Sequence, residues 1–166
     1  MQFYNDKDKI LIIDFGSQVT KLIARRVREL GVYSEIITAK ELYKIKNYNH
    51  VKGLIFSGGP STVTSSRYQT VPKDVFKKKI PILGICYGLQ LIAKLFGGKI
   101  RQSKKKREFG RAFLYKKNSS ILTNNFLNKK RSVWMSHEDA VVKLPKNFKV
   151  IAFTKESKLT IIENSK

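Results

Sequence analysis

Acidic residues are scarce in this chain: 12 Asp and Glu stand against 34 Lys and Arg, a formal charge of +22. Cysteine is scarcer still, with one in 166 residues. A lone cysteine excludes an internal disulfide framework and suits a reducing compartment. Long apolar runs are also missing, and none approaches the length of a bilayer-spanning helix. Met1 to Lys9 is polar and charged, with no apolar signal region behind it. The expectation is a cytoplasmic protein with no membrane partner and no metal site. No internal repeat, low-complexity linker or second domain boundary stands out, so residues 1–166 are expected to form one domain, long enough to bury a core without staples.

An excess of positive charge usually points to a polyanionic partner. Here it is mostly lysine, in runs at Lys77-Lys78-Lys79, Lys104-Lys105-Lys106-Arg107, Lys116-Lys117 and Lys129-Lys130-Arg131. The runs fall in expected loops and helix ends and lack the interleaved aromatics of a nucleic-acid platform. Lysine, asparagine and isoleucine are abundant together, which fits a compositional bias, so no specific nucleic-acid partner is expected.

What the chain has is alternation. Lys9 to Phe15 reads as a buried strand, and Thr20 to Leu30 as an amphipathic helix with Ile23, Val27 and Leu30 on its apolar stripe. Gly31 closes that helix. A strand over Val32 to Ile37, a short helix over Ala39 to Ile45, a strand over Val51 to Ser57 and a short helix over Pro72 to Lys79 follow. Strands separated by helices argue for a mainly parallel sheet covered on both faces. After Gly98 the texture changes. Arg111 to Tyr115, Arg131 to Ser136, Phe148 to Thr154 and Leu159 to Glu163 read as strands with short turns, a mixed or antiparallel extension.

The chemistry concentrates at Ile80 to Gln90. An apolar run suited to a buried strand, Ile80 to Ile85, stops at Cys86, and a helical pattern through Leu91, Ile92, Leu95 and Phe96 follows at once. Gly84 and Gly88 lie two residues either side of Cys86, the spacing of a nucleophile elbow with cysteine in the serine position. Such a turn needs small residues at ±2 because the chain reverses sharply. It sets the sulfur at a helix N-terminus, where the dipole and free N–H groups favour thiolate. The alternative is a small buried residue at a strand end.

In open parallel sheets, sites form beyond the carboxyl ends of the strands. The loop Ser57-Gly58-Gly59-Pro60 should reach that rim beside the elbow. A tetrahedral intermediate on Cys86 needs two donors aimed at its oxyanion. The N–H of Tyr87 is one candidate, and that of Gly59, free to approach a substrate closely, is the other. Taken alone, the tetrapeptide also fits an ordinary turn.

Several stretches together resemble the class I (triad-type) glutamine amidotransferases. They are Ile13-Asp14-Phe15-Gly16-Ser17-Gln18, Ala24 to Tyr33, Ser57 to Pro60, Gly84 to Gln90, Arg107-Glu108-Phe109-Gly110 and Val133-Trp134-Met135-Ser136-His137. The first strand with its arginine-rich helix and the Trp-Met-Ser-His segment resemble the N-terminal glutaminase domain of the GMP synthetase branch, from about Lys9 to Glu163. The resemblance implies a flavodoxin-like α/β fold, with a mainly parallel central sheet, helices on both faces and a mixed or antiparallel C-terminal extension. It implies that Cys86 attacks the side-chain amide of glutamine while the Tyr87 and Gly59 N–H groups hold the oxyanion. It gives Gly58, Gly59, Gln90, the backbone of Ser136 and His137, and Asp139 to glutamine. Ammonia would pass to an ATP pyrophosphatase (synthetase) domain or subunit that converts xanthosine monophosphate to GMP. ATP and Mg belong there, and this domain takes no cofactor.

The sequence also departs from the family. The family's catalytic histidine and glutamate lie in a His-Pro-Glu segment just past the Leu159 to Glu163 region, and the chain ends at Lys166 before one. That implies a domain incomplete at its C-terminus, with impaired general-base catalysis. Of the two histidines, His50 lies in a polar connection and reads as surface. His137 has the residue type for a dyad with Cys86, backed by Glu138 or Asp139, but the resemblance puts it on the substrate side. Glu138 replaces a glycine usual in the family. Two other readings stay open: a catalytically inactive amidotransferase-like module that binds or regulates a partner, and a basic nucleic-acid-binding protein.

Overall fold

The computed structural model describes residues 7–102, 108–128, 131–137 and 139–164. The chain divides into two compact units, Met1–Leu91 and Ile92–Lys166. Among the described residues, no helix is long and apolar enough to cross a membrane.

The first unit is built on four parallel strands: β1 (Lys9–Asp14), β2 (Ser34–Thr38), β3 (Val51–Phe56) and β4 (Ile82–Gly84), in the order β2-β1-β3-β4. Leu11, Ile12 and Ile13 in β1 and Leu54 and Phe56 in β3 are buried, so the two central strands carry the core. The order reverses direction between β1 and β3, and an open α/β sheet takes its ligands beyond the carboxyl ends of strands at such a switch point. Ile13 pairs with Phe56 there, so the loops that start at Phe15 and Ser57 leave the sheet side by side.

Helix α1 (Thr20–Glu29) turns Thr20 and Ala24 inward, with Ile23 and Val27 partly covered. Leu30, expected on that stripe, is 82% exposed, because the helix stops one residue earlier. Gly31 takes φ +77, and its N–H and that of Val32 donate to the carbonyls of Arg28 and Val27, a Schellman closure. Helix α2 (Ala39–Leu42) is shorter than the expected Ala39 to Ile45 and begins in a capping box, in which the Thr38 hydroxyl and the Glu41 carboxylate accept each other's backbone N–H. The segment expected as a helix over Pro72 to Lys79 is a 3-10 turn, Lys73–Lys77.

One expectation about the elbow strand fails. Ile80 to Ile85 is not a buried strand: β4 has three residues, lies at the end of the strand order and leaves Leu83 45% exposed. An apolar run signals burial only where both faces and both edges are covered.

Helix α3 (Tyr87–Leu95) carries the chain into the second unit, where the elements after it among the described residues are strands. A sheet ordered β10-β9-β6-β7 is formed by β6 (Glu108–Lys116), β7 (Arg131–His137), β9 (Lys149–Phe153) and β10 (Ile161–Glu163), with antiparallel pairing throughout. Leu114, Leu127, Ile151 and Ala152 form its buried cluster, with Val133 and Ile161 packed on it. A separate antiparallel pair joins β5 (Lys99–Gln102) to β8 (Asp139–Lys143). The antiparallel extension read from the sequence is therefore present; the pair β5–β8 is additional to it. A parallel first sheet with antiparallel sheets after it is the flavodoxin-like arrangement the sequence led us to expect.

Candidate active site

Cys86 sits between the end of β4 and the start of α3 with φ +50, a left-handed backbone that non-glycine residues rarely adopt. Its carbonyl already accepts the Gln90 N–H at 3.0 Å, so the residue is built into the first turn of the helix while its side chain stays exposed. This is the strand-to-helix reversal expected from the spacing of Gly84 and Gly88. Both glycines are required by space. A Cβ on Gly84 would lie 2.7 Å from the Gly88 carbonyl, and one on Gly88 would lie 2.3 Å from the Phe56 carbonyl oxygen. The Gly88 N–H donates to Ser57 and Ile85 carbonyls at 3.1 and 2.9 Å, and the Ile85 N–H donates to Phe56 at 2.9 Å. The elbow is thereby fastened to the end of β3.

The glycine loop lies beside the elbow. A Cβ built on Gly58 would be 3.6 Å from the Cys86 Cβ, so this loop passes directly against the cysteine. Gly59 is held against β1, with its Cβ direction 2.5 Å from the Phe15 carbonyl oxygen. Among the described residues, neither the Gly59 nor the Tyr87 N–H donates a hydrogen bond. The Tyr87 side chain, in contrast, is anchored: its hydroxyl donates to the Gln69 carbonyl at 2.6 Å, its ring lies 5.0 Å from that of Phe15, and burial pushes its pKa up to about 12.

Two residues that sequence reasoning missed hold these loops. The buried Ser57 hydroxyl accepts the Phe15 N–H at 3.1 Å and donates to the Gly58 carbonyl at 2.8 Å, bridging the ends of β1 and β3. One Asp14 carboxylate oxygen accepts from the Gly16 N–H, the Ser17 N–H and the Thr20 hydroxyl, at 2.9, 3.3 and 2.7 Å, and so fixes the turn from β1 into α1. The signal available was Asp14 two residues before Gly16-Ser17, a local turn pattern. Ser57→Ala is expected to leave the Phe15 N–H buried without an acceptor and to cost about 1–3 kcal/mol in urea unfolding. A loss under roughly 0.5 kcal/mol would show that the bridge does not hold the loops.

The sulfur's electrostatics correct one expectation. Burial pushes the Cys86 thiol above its ordinary value of 9.0, because the protein wall at the base of the side chain penalises the charged form. Burial thus works against the helix N-terminus here, and a base beside the sulfur would favour its charged form.

Gln90 is buried on α3. Ser136, His137 and Asp139, also given to the substrate, belong to the second unit. Ser136 and His137 end β7, paired in register with Phe109 and Glu108, and Asp139 is buried at the start of β8 opposite Gln102. Glu138 and the basic runs Lys104 to Arg107 and Lys129-Lys130 lie outside the described residues. His50 is on the surface of the first unit, 3.6 Å from the Asp8 carboxylate.

A cysteine elbow at the carboxyl end of a parallel sheet, beside a glycine loop, has the geometry of a nucleophile site. The family profile "Glutamine amidotransferase class-I" matches residues 11–166, and the chain belongs to that family. Within it, the chain is similar to GMP synthase [glutamine-hydrolyzing]. It is 47% identical over 147 residues to that of Borreliella burgdorferi (strain N40), covering 88% of this chain and 28% of the relative. To that of Staphylococcus aureus (strain JH9) it is 39% identical over 170 aligned positions, covering 100% of this chain and 32% of the relative. Among solved structures, a Thermoplasma acidophilum protein described as one subunit of a GMP synthase superposes with a TM-score of 0.80 at 27% identity, covering 96% of this chain and 79% of that one. A Thermotoga maritima glutamine amidotransferase shares the fold, with a TM-score of 0.72 at 19% identity over 93% of this chain and 73% of that one. The chain is thus a class-I amidotransferase domain homologous to the glutaminase part of GMP synthases, and it spans less than one third of the length of the Borreliella and Staphylococcus enzymes.

Proposed function

We propose that the chain releases ammonia from glutamine as the glutaminase part of a GMP synthase. A base takes the Cys86 proton, and the sulfur then forms a bond to the side-chain amide carbon of glutamine. The Tyr87 and Gly59 N–H groups take the oxyanion. Collapse breaks the C–N bond, and nitrogen leaves as ammonia with a proton from the protonated base. Water then adds to the glutamyl thioester, the C–S bond breaks, and glutamate and the thiol are regenerated. On the family's pattern, Gly58, Gly59, Gln90, the backbone of Ser136 and His137, and Asp139 hold glutamine. The ammonia goes to an ATP- and Mg-dependent synthetase portion that converts xanthosine monophosphate to GMP. The glutaminase part itself needs no cofactor.

One observation carries the reading: an exposed cysteine at a left-handed elbow, with the Gly58 loop passing beside it. A second reading is a module of the same fold that binds without turning over. Alkylation by a chloroketone analogue of glutamine, followed by intact mass, separates them. The expected result is one adduct on Cys86, slowed by glutamine. Since only the thiolate reacts and burial raises the thiol's pKa, the rate should still be climbing with pH as pH 9 is approached. No adduct at pH 9, or one that glutamine does not slow, would favour the non-catalytic module.

A further inference from the structure

The outer face of the β6–β7 hairpin is an unusual solvent surface. Its cross-strand pairs are Phe109 with Ser136, Arg111 with Trp134 and Phe113 with Ser132. Phe109 is 58%, Phe113 37% and Trp134 80% exposed, and Arg111, Ser132 and Ser136 are exposed beside them. The opposite face does the packing, through Leu114 and Val133 on Ile151 and Ala152. An antiparallel sheet with one face on the core normally turns polar residues to water on the other. In a chain with 34 Lys and Arg, these six positions hold a single charge, Arg111, whose guanidinium already lies 5.3 Å from the Phe113 ring centre.

We propose that this face docks the ATP-dependent synthetase portion of the same enzyme; the proposal rests on the GMP synthase reading above. The composition decides the class of partner. Aromatic residues and arginine with lysine, aspartate and glutamate excluded is the make-up of a protein-interface centre. A platform for single-stranded nucleic acid instead sets its stacking rings in a positively charged groove. At about 200 Å² per ring, scaled by exposure, the three aromatics offer on the order of 400 Å², roughly half of one side of a standard interface. Lys116 ends β6 and Lys117 follows it, both exposed. Ile92–Lys166 as a whole carries 19 Lys and Arg against five Asp and Glu. The matching surface therefore has an apolar hollow for the indole, a carboxylate for Arg111 and an acidic rim. The occupant follows from length, because more than two thirds of each of the two full-length GMP synthases named above lies outside the part this chain matches.

Trp134 is the chain's one tryptophan, so 5-fluorotryptophan labels this face alone. The labelled chain is titrated with the unlabelled remainder of Borreliella burgdorferi GMP synthase, up to about 100 µM, and followed by fluorine NMR, with calorimetry for affinity. The expected result is a shifted indole signal, with affinity reduced tenfold or more in Trp134→Ser/Phe109→Ser and in Arg111→Glu, all surface changes that leave the circular dichroism unaltered. Binding without a shift, and with full affinity in the variants, overturns the docking face but leaves the GMP synthase reading intact. No binding at all overturns the partnership, while glutamine protection of Cys86 still reports on the glutaminase reading by itself. A shift caused by a 20-mer oligothymidylate at about 150 mM salt, or by concentrating the chain alone, assigns the face to nucleic acid or to a second copy and overturns the proposal.

Discussion

Gly88→Ala is expected to unfold the elbow, at a cost of about 3 kcal/mol or more in urea unfolding of the chain. The new methyl would lie 2.3 Å from the Phe56 carbonyl oxygen and 2.7 Å from its Cβ, and both belong to the central strand β3. Neither is the free end of a flexible side chain, so the helix must retreat from the sheet. That retreat breaks the bond from the Gly88 N–H to the Ser57 carbonyl and draws Cys86 away from the loop it faces. The consequence is double, lost stability and lost alkylation of Cys86 by the glutamine analogue. A variant within about 1 kcal/mol of the parent and still labelled would show that the close approach at this position is not what shapes the site.

Cys86→Gly should do the opposite to stability and still abolish the chemistry. A left-handed backbone at a non-glycine residue costs roughly 1–2 kcal/mol, and glycine removes that strain, less part of the gain to the freer unfolded chain. The net expectation is a protein more stable by about 0.5–1 kcal/mol, read from the urea midpoint at unchanged slope, with no adduct forming. Cys86→Ala, which keeps the strain and removes the sulfur, provides the comparison and should show no such gain. Equal midpoints for the glycine and alanine variants would mean that φ +50 is not strained in this setting. A higher midpoint for glycine would make the elbow an instance of backbone strain retained where the reaction requires it.

How far the sequence led can be judged residue by residue. The buried strands β1 and β3 and the helix α1 were legible because their apolar periodicity is strong and Gly31 marks a helix end. Cys86 was legible because glycines at ±2 leave few other geometries. The extents of β4 and α2 were misjudged for different reasons. Burial of β4 depends on neighbours that no local pattern reveals, whereas α2 is defined by a four-residue cap. The pair β5–β8 escaped because Lys99-Ile100-Arg101-Gln102 has one apolar residue in four and is a strand only through its partner. The bridge at Ser57 was invisible for a similar reason, since its hydroxyl joins residues 42 apart, and only the sheet order brings them together. Phe109 and Phe113 gave no hint of a face shared with the distant Trp134 until β6 and β7 were paired.

The order in which the cradle parts occur along the chain has a consequence for synthesis. Asp14, Phe15, Ser57, Gly58 and Gly59 all precede Cys86, and the contacts that join the first strand to the third involve nothing later in the chain. Because a ribosome delivers the N-terminus first, the floor of the site can form before the reactive sulfur leaves the exit tunnel. The thiol then emerges next to a surface already prepared for it, which shortens the interval in which a free cysteine is open to oxidation or mispairing.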